Sequence, residues 1–166
     1  MKKIAISGGW RKTNPQIEKD VRKIVKEIIS QGNGIISGGA LGVDYIATDE
    51  VLHLTNNTNQ LTILIPSTLE IYKEHYLKRA NEGVVTSQQV KMLIIQLEEV
   101  KKRGCLIEGI DTILNKETYF NRIIKIIENA DELIAFHINK TEGTQYTIDK
   151  ANEKGIPIKV FTYLLE

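Results

Sequence analysis

Short runs of β-branched and aliphatic residues alternate along this chain with longer stretches whose apolar positions recur every three or four residues. The first pattern suits buried strands, and the second suits helices with one apolar stripe. "KIAIS" (Lys3 to Ser7) predicts a first strand, and Ile17, Val21, Ile24, Val25, Ile28 and Ile29 mark a helix from about Pro15 to Ser30 that stops at "QGNG". "IIS" (Ile35 to Ser37) is a second strand, followed by a helix over Val43 to Leu54. "LTILIP" (Leu61 to Pro66) is a third strand, closed by its proline. "DELIAFHI" (Asp131 to Ile138) and "IKVFTY" (Ile158 to Tyr163) read as strands four and five, with a helix between them stopped by Gly155, two residues before Pro157.

Residues 67–130 do not fit a short crossover, and those from about 67 to 115 form a helical insertion. "STLEIYKEHYLKRANEG" is helical text, and in "TSQQVKMLIIQLEEVKKRG" Val90, Leu93, Ile94, Leu97 and Val100 repeat at helical spacing. Met92 and Ile95 fall off that stripe, so this helix is either buried in the monomer or part of a subunit interface, which makes a homodimer through the insertion a candidate. A further helix, about Lys116 to Asn129, leads into strand four. Strands alternating with amphipathic segments imply βαβ units on a parallel sheet. The expected architecture is a single α/β domain over residues 1–166, a Rossmann-like open parallel sheet of about five strands in the order 3-2-1-4-5. Helices cover both faces, and the helical insertion follows strand three.

Three glycine-containing loops leave strand carboxyl ends: "SGGWRKT", "SGGALGVD" and "NKTEGT". In open parallel sheets, ligands bind at those ends. Glycine permits close approach of backbone amides, and a following helix N-terminus favours an anion. The loops therefore point to a phosphate-bearing ligand, with Ser7, Gly8, Gly9 and Arg11 from the first, Gly38, Gly39, Gly42 and Asp44 from the second, and Gly143 and Thr144 from the third as candidates. Asp44 can reach a ribose hydroxyl or cap its helix. Trp10 can stack on a base or pack over the sheet edge. None of the loops is a strict G-x-G-x-x-G, and no Gly-Lys-Ser/Thr occurs, which disfavours an ordinary dinucleotide site and a nucleoside-triphosphatase site.

Composition narrows the partners. With 22 lysines and arginines against 21 acids, the net charge is +1, so no global field marks a nucleic acid or a membrane, although Lys101, Lys102 and Arg103 form one basic cluster. The single Cys105 excludes an internal disulfide, and His53, His75 and His137 lack metal-ligand spacing, so neither a metal nor a cofactor is expected. No apolar run approaches the ~18 residues of a membrane span, and no signal peptide opens the sequence; a cytoplasmic location is the expectation.

"ISGGALGVD" resembles the glycine-rich segment of the DNA-processing protein A (DprA/Smf) family. "YFNRIIKIIENADELIAF" with "EGTQYTIDKANEKGIPIKVF" resembles the close of the same domain. The wider superfamily, SMF/DprA-LOG or SLOG, is Rossmann-like and includes the LONELY GUY phosphoribohydrolases. The resemblance implies that Arg122, eight residues before the "AD" pair, stands at the ligand. It also places Thr147 where the hydrolases carry a glutamate, and threonine supplies no carboxylate near neutral pH.

Three readings follow. The preferred one is a nucleotide or nucleotide-derivative binding protein, leaning non-catalytic, with the ligand on the glycine loops. The alternative is a DprA-like single-stranded DNA-binding protein in recombination or DNA uptake. The third is a nucleotide N-glycosidase of the phosphoribohydrolase kind.

Overall fold

A computed structural model describes all of residues 1–166. Its elements run β1 (Lys3–Gly8), α1 (Pro15–Ser30), β2 (Gly34–Ser37), α2 (Val43–Leu54), β3 (Leu61–Ile65), α3 (Leu69–Asn81), α4 (Ser87–Lys102), β4 (Leu106–Glu108), α5 (Lys116–Glu128), β5 (Glu132–Ile138), α6 (Glu142–Lys154) and β6 (Ile158–Tyr163). Local chemistry sets several of these limits. The Asn14 side chain accepts from the Ile17 amide at 2.8 Å and Pro15 follows at the first helical position, so α1 starts where its orphan donors are satisfied. Thr86 with Gln89 and Asn115 with Thr118 form reciprocal caps that open α4 and α5. Gly155 ends α6 in the left-handed region at φ 78°.

All six strands are parallel, in the order β4-β3-β2-β1-β5-β6. The five expected strands keep their expected neighbours, and the correction is the sixth. Leu106–Glu108 adds an edge strand beside β3, pairing Ile63 with Leu106 and Ile65 with Glu108. At three residues, with Ile107 and Glu108 exposed, it carries no apolar run for a sequence pattern to register. The stretch expected as a helical insertion is thus two helices that return the chain to the sheet.

Alternate strand residues face opposite sides, and the two sides differ in size. Ile4, Ile6, Ile35, Ile63, Ile65, Phe136 and Ile138 join the larger core with the buried stripes of α1, α2 and α4. Each fully buried aliphatic side chain there, such as Val21 or Leu97, contributes roughly 1.5–3 kcal/mol. Leu69, Tyr72 and Tyr76 tie α3 into the same core. On the other side the small residues Ala5, Ala135 and Ala151 let α5 and α6 come down on the sheet, with Ile126 and Ile127 filling the contact. Met92 and Ile95 remain 44% and 55% exposed, so the second apolar face of α4 is unpartnered within the chain. No helix is long and apolar enough to cross a membrane.

The chain moves outward from β1 through β2 and β3 to β4, then crosses back to β5 on the other side of β1. Strand order therefore reverses between β1 and β5, where a crevice opens at the carboxyl ends.

Candidate functional site

A cavity of about 540 Å³ occupies that crevice. Its floor is the end of β1, from Ala5 to Gly8. Gly38, Ala40 and Asp44 come from the corner between β2 and α2, and Thr141 to Thr144 with Thr147 come from the start of α6. The remaining wall is α5, through Lys116, Tyr119, Phe120 and Arg122, and α3, through His75, Tyr76 and Arg79. The volume falls in the range of pockets that hold one small organic ligand.

Arg122 organises the interior. Its Nη1 donates to the Gly38 carbonyl at 2.6 Å, and its guanidinium carbon lies 5.2 Å from the Tyr119 ring centroid. A Cβ at Gly38 would stand 2.8 Å from that guanidinium carbon, so glycine lets the arginine lie against the backbone there. The Nε of Arg122 is buried with no hydrogen-bond partner, an unusual state for a charged donor. Burial pulls the guanidinium pKa down, but Tyr72, Asp44, Tyr119 and Tyr76 outweigh it and the net shift is upward, so Arg122 stays charged. Burial raises the Asp44 carboxyl above the usual carboxylate range, against the opposing pull of Arg122, Ser37 and the amides of Ala40 and Gly38. Burial also raises the phenols of Tyr76 and Tyr119, which remain donors, and burial with Arg79 lowers the His75 imidazole.

The glycine corner is used differently from the sequence expectation. Gly42 has φ +75°, and a Cβ on it would collide with the Gly9 carbonyl, which accepts the Val43 amide at 3.0 Å. The Asp44 carboxylate folds back onto the Ala40 amide at 3.3 Å. The first amide of α2 is thereby satisfied from within the protein, while those of Asp44 and Tyr45 keep no partner. Gly39, at φ +67°, faces Ile65, Ile63 and Leu97 in the core, and its carbonyl accepts from the Tyr72 hydroxyl at 3.0 Å.

The more open helix terminus is that of α6. Thr141 makes no capping hydrogen bond, and the first-turn amides of Glu142, Gly143 and Thr144 have no partner. A Cβ on Gly143 would meet only open space. These amides follow two consecutive non-glycine residues in the left-handed region, Asn139 at φ 53° and Lys140 at φ 52°. The Asn139 amide donates to the Tyr163 carbonyl, and its side-chain oxygen accepts from Leu165, so the C-terminal segment holds the strained turn in place.

Of the expected site residues, Ser7, Gly8, Gly38, Asp44, Arg122, Gly143 and Thr144 line one cavity, joined by Trp10. Gly9, Arg11, Gly39 and Gly42 do not line it. Gly9 packs on Ile138, and exposed Arg11 places its guanidinium over the Trp10 ring at 5.4 Å. Thr147 donates to the Gly143 carbonyl at 2.9 Å and accepts from Ser7 at 3.4 Å. In the basic cluster, Lys101 pairs with Glu108, and Arg103 pairs with Glu99 and donates to the Thr55 and Leu52 carbonyls. Sequence reasoning missed His75, Tyr76 and Arg79, which sat in text read only as insertion helix, and Lys116, Tyr119 and Phe120. The one available signal was "KETYFNR", an aromatic pair between basic residues and directly before Asn121-Arg122.

An open, doubly wound α/β domain with a cleft at the switch point, lined by cations and aromatic rings, is Rossmann-like. The model of one family, DNA recombination-mediator protein A, matches residues 1–163, and the chain belongs to that family. No curated protein matches it. Among solved structures, DNA processing protein A from Helicobacter pylori, determined for its single-stranded DNA binding mode, is 26% identical with a TM-score of 0.70 over 96% of this chain and 64% of its own. DprA from Streptococcus pneumoniae is 19% identical with a TM-score of 0.64 over 96% of this chain and 50% of its own, and shares the fold. A structural-genomics target at 16% identity shares it too, with a TM-score of 0.57 over 95% of this chain and 72% of its own. The chain thus spans 64% and 50% of the two DNA-processing proteins it matches.

Proposed function

We propose that this chain binds single-stranded DNA and that the cleft between β1 and β5 grips it by one nucleotide unit. The observation that carries the reading is the composition of the cleft. Arg79, Lys116 and Arg122, together with the free amides at the start of α6, supply the donors a phosphate needs. Trp10, Tyr119 and Phe120 supply ring surface for a base. Family membership and the single-stranded DNA binding of the Helicobacter pylori relative support the same assignment. With a net charge of only +1, attraction for a polyanion must be local, and the cleft is where cations meet aromatic walls.

A second reading, a mononucleotide or its derivative as the physiological ligand, is favoured by one feature. The cavity is sized for a single unit, and the buried Asp44 is among the residues that line it.

Titration of a mononucleotide and of oligothymidines of increasing length, at several salt concentrations, separates the two. Strand binding predicts affinity that rises with length and a log–log salt slope of roughly −0.7 per phosphate contacted. Arg79→Ala should make that slope shallower by about one such increment. Tight mononucleotide binding, with a shallow slope and no gain from added nucleotides, would replace the strand reading with the second one.

A further inference from the structure

Two aromatic rings, one from α5 and one from α6, have no role in either core. Phe120 and Tyr146 stack with centroids 4.1 Å apart and planes 17° from parallel. Neither belongs to a hydrophobic cluster, and the contact between these helices and the sheet is made without them, by Ile126, Ile127 and Ala151. Each ring also carries an ammonium group: Lys116 Nζ lies 5.5 Å from the Phe120 centroid, and Lys150 Nζ lies 5.2 Å from that of Tyr146. Lys116 and Phe120 line the cleft, whereas Tyr146 and Lys150 do not, so the row Lys116, Phe120, Tyr146, Lys150 begins inside the site and leads out of it.

From this row we propose that Phe120 and Tyr146 form a stacking platform for the nucleotide next to the one in the cleft, with Lys116 and Lys150 holding the flanking phosphates. The proposal rests on the strand-binding reading and names the path by which the strand leaves. The occupant follows from chemistry. Alternating rings and ammonium groups fit a polymer of alternating bases and phosphates, and every base offers a π face, so the platform is tolerant of sequence. In the unbound protein, Lys116 pairs with Glu142 and Lys150 with Glu153, across positions open to water. Such exposed pairs are weak and yield readily to a phosphate. When an ammonium swings from its ring to a phosphate, it uncovers the face on which a base can lie.

The test compares Tyr146→Leu, which keeps apolar bulk against Phe120 but removes the ring, with Tyr146→Trp, which restores a larger ring. Both are titrated with thymidine monophosphate and with an oligothymidine of about eight nucleotides, a length within single-strand site sizes. Tyr146→Leu should weaken strand binding about tenfold and leave the mononucleotide within about twofold, and Tyr146→Trp should recover the loss. A 2-aminopurine placed beside the anchored nucleotide should be quenched by the parent protein and by Tyr146→Trp, but not by Tyr146→Leu. Unchanged strand affinity in Tyr146→Leu, or an equal loss for both ligands, overturns the platform. Arg79→Ala, run alongside, keeps the two readings apart. If it weakens both ligands while Tyr146→Leu changes neither, the cleft stands and the platform falls. If strand binding depends on Tyr146 and not on Arg79, the platform stands and the cleft anchor falls. If the parent binds no strand, both fall.

Discussion

Replacing Gly39 by alanine should damage the fold far more than the site. Alanine at that position must keep φ near +67°, a conformation that costs a non-glycine residue roughly 1–2 kcal/mol. Its methyl group would stand 2.9 Å from Ile65 Cγ2, 3.1 Å from Ile63 Cγ2 and 3.3 Å from Leu97 Cδ2. These three side chains are only 2%, 0% and 1% exposed, so none can swing into solvent to make room. Overpacking of this kind adds about 1–3 kcal/mol, for a total of about 2–5 kcal/mol. Moving the backbone to relieve the clash would pull the Gly39 carbonyl off the Tyr72 hydroxyl and transmit the strain to α3. In a chain of 166 residues each kcal/mol is worth about 2–4 °C, so the melting temperature should fall by roughly 4–20 °C. Calorimetry and urea unfolding give the stability change, and a strand titration about 10 °C below the variant's own transition gives the affinity of the folded fraction. That affinity should stay within about threefold of the parent, roughly 0.6 kcal/mol. A melting temperature unchanged to about 2 °C, together with a loss of binding beyond about tenfold, would show that the corner meets the ligand and not the core.

Two further outcomes follow from other parts of the molecule. Burial raises the Asp44 carboxyl in the folded state, so the folded protein binds more protons than the unfolded chain between the ordinary aspartate value and the raised one, and stability falls as pH rises through that window. Asp44→Asn removes this dependence. Its stability relative to the parent should improve from pH 4 towards pH 7 in pH-resolved urea melts, and a constant difference would contradict the assignment. Tyr163 donates to Asp20 Oδ2 at 2.7 Å and ties the edge strand β6 to α1. Tyr163→Phe should therefore lose about 1 kcal/mol and speed hydrogen exchange of the β6 amides, whereas unchanged exchange would mean that the bond is not formed in solution.

Periodicity carried most of the fold. The helices over Pro15–Ser30 and Val43–Leu54 are legible to the residue, because their limits are set by neighbours in the chain: Asn14 capping the first, and Gly42 preceding the second. Strand neighbours followed from the connection rules, and Ser7, Gly8, Gly38, Asp44, Arg122, Gly143 and Thr144 lie together because parallel strands bring all their carboxyl ends to one edge. Beyond that, the decisions were tertiary. Leu106–Glu108 is a strand only because β3 offers it a free edge, and three residues with little burial leave no periodic trace. Which way a loop glycine faces is equally invisible locally. Gly39 points into the core because Ile63, Ile65 and Leu97, 24 to 58 residues away in the chain, close over it. The Val43 amide is occupied by the Gly9 carbonyl, whereas all three first-turn amides of α6 stay open, where the C-terminal segment pins Asn139. Arg79 reaches the cleft only through the packing of α3 on α4. A pattern along the chain reports the surroundings of each residue within a few positions. The cleft is made by contacts between segments far apart in sequence, and only the folded arrangement determines which polar groups those contacts satisfy and which they leave free.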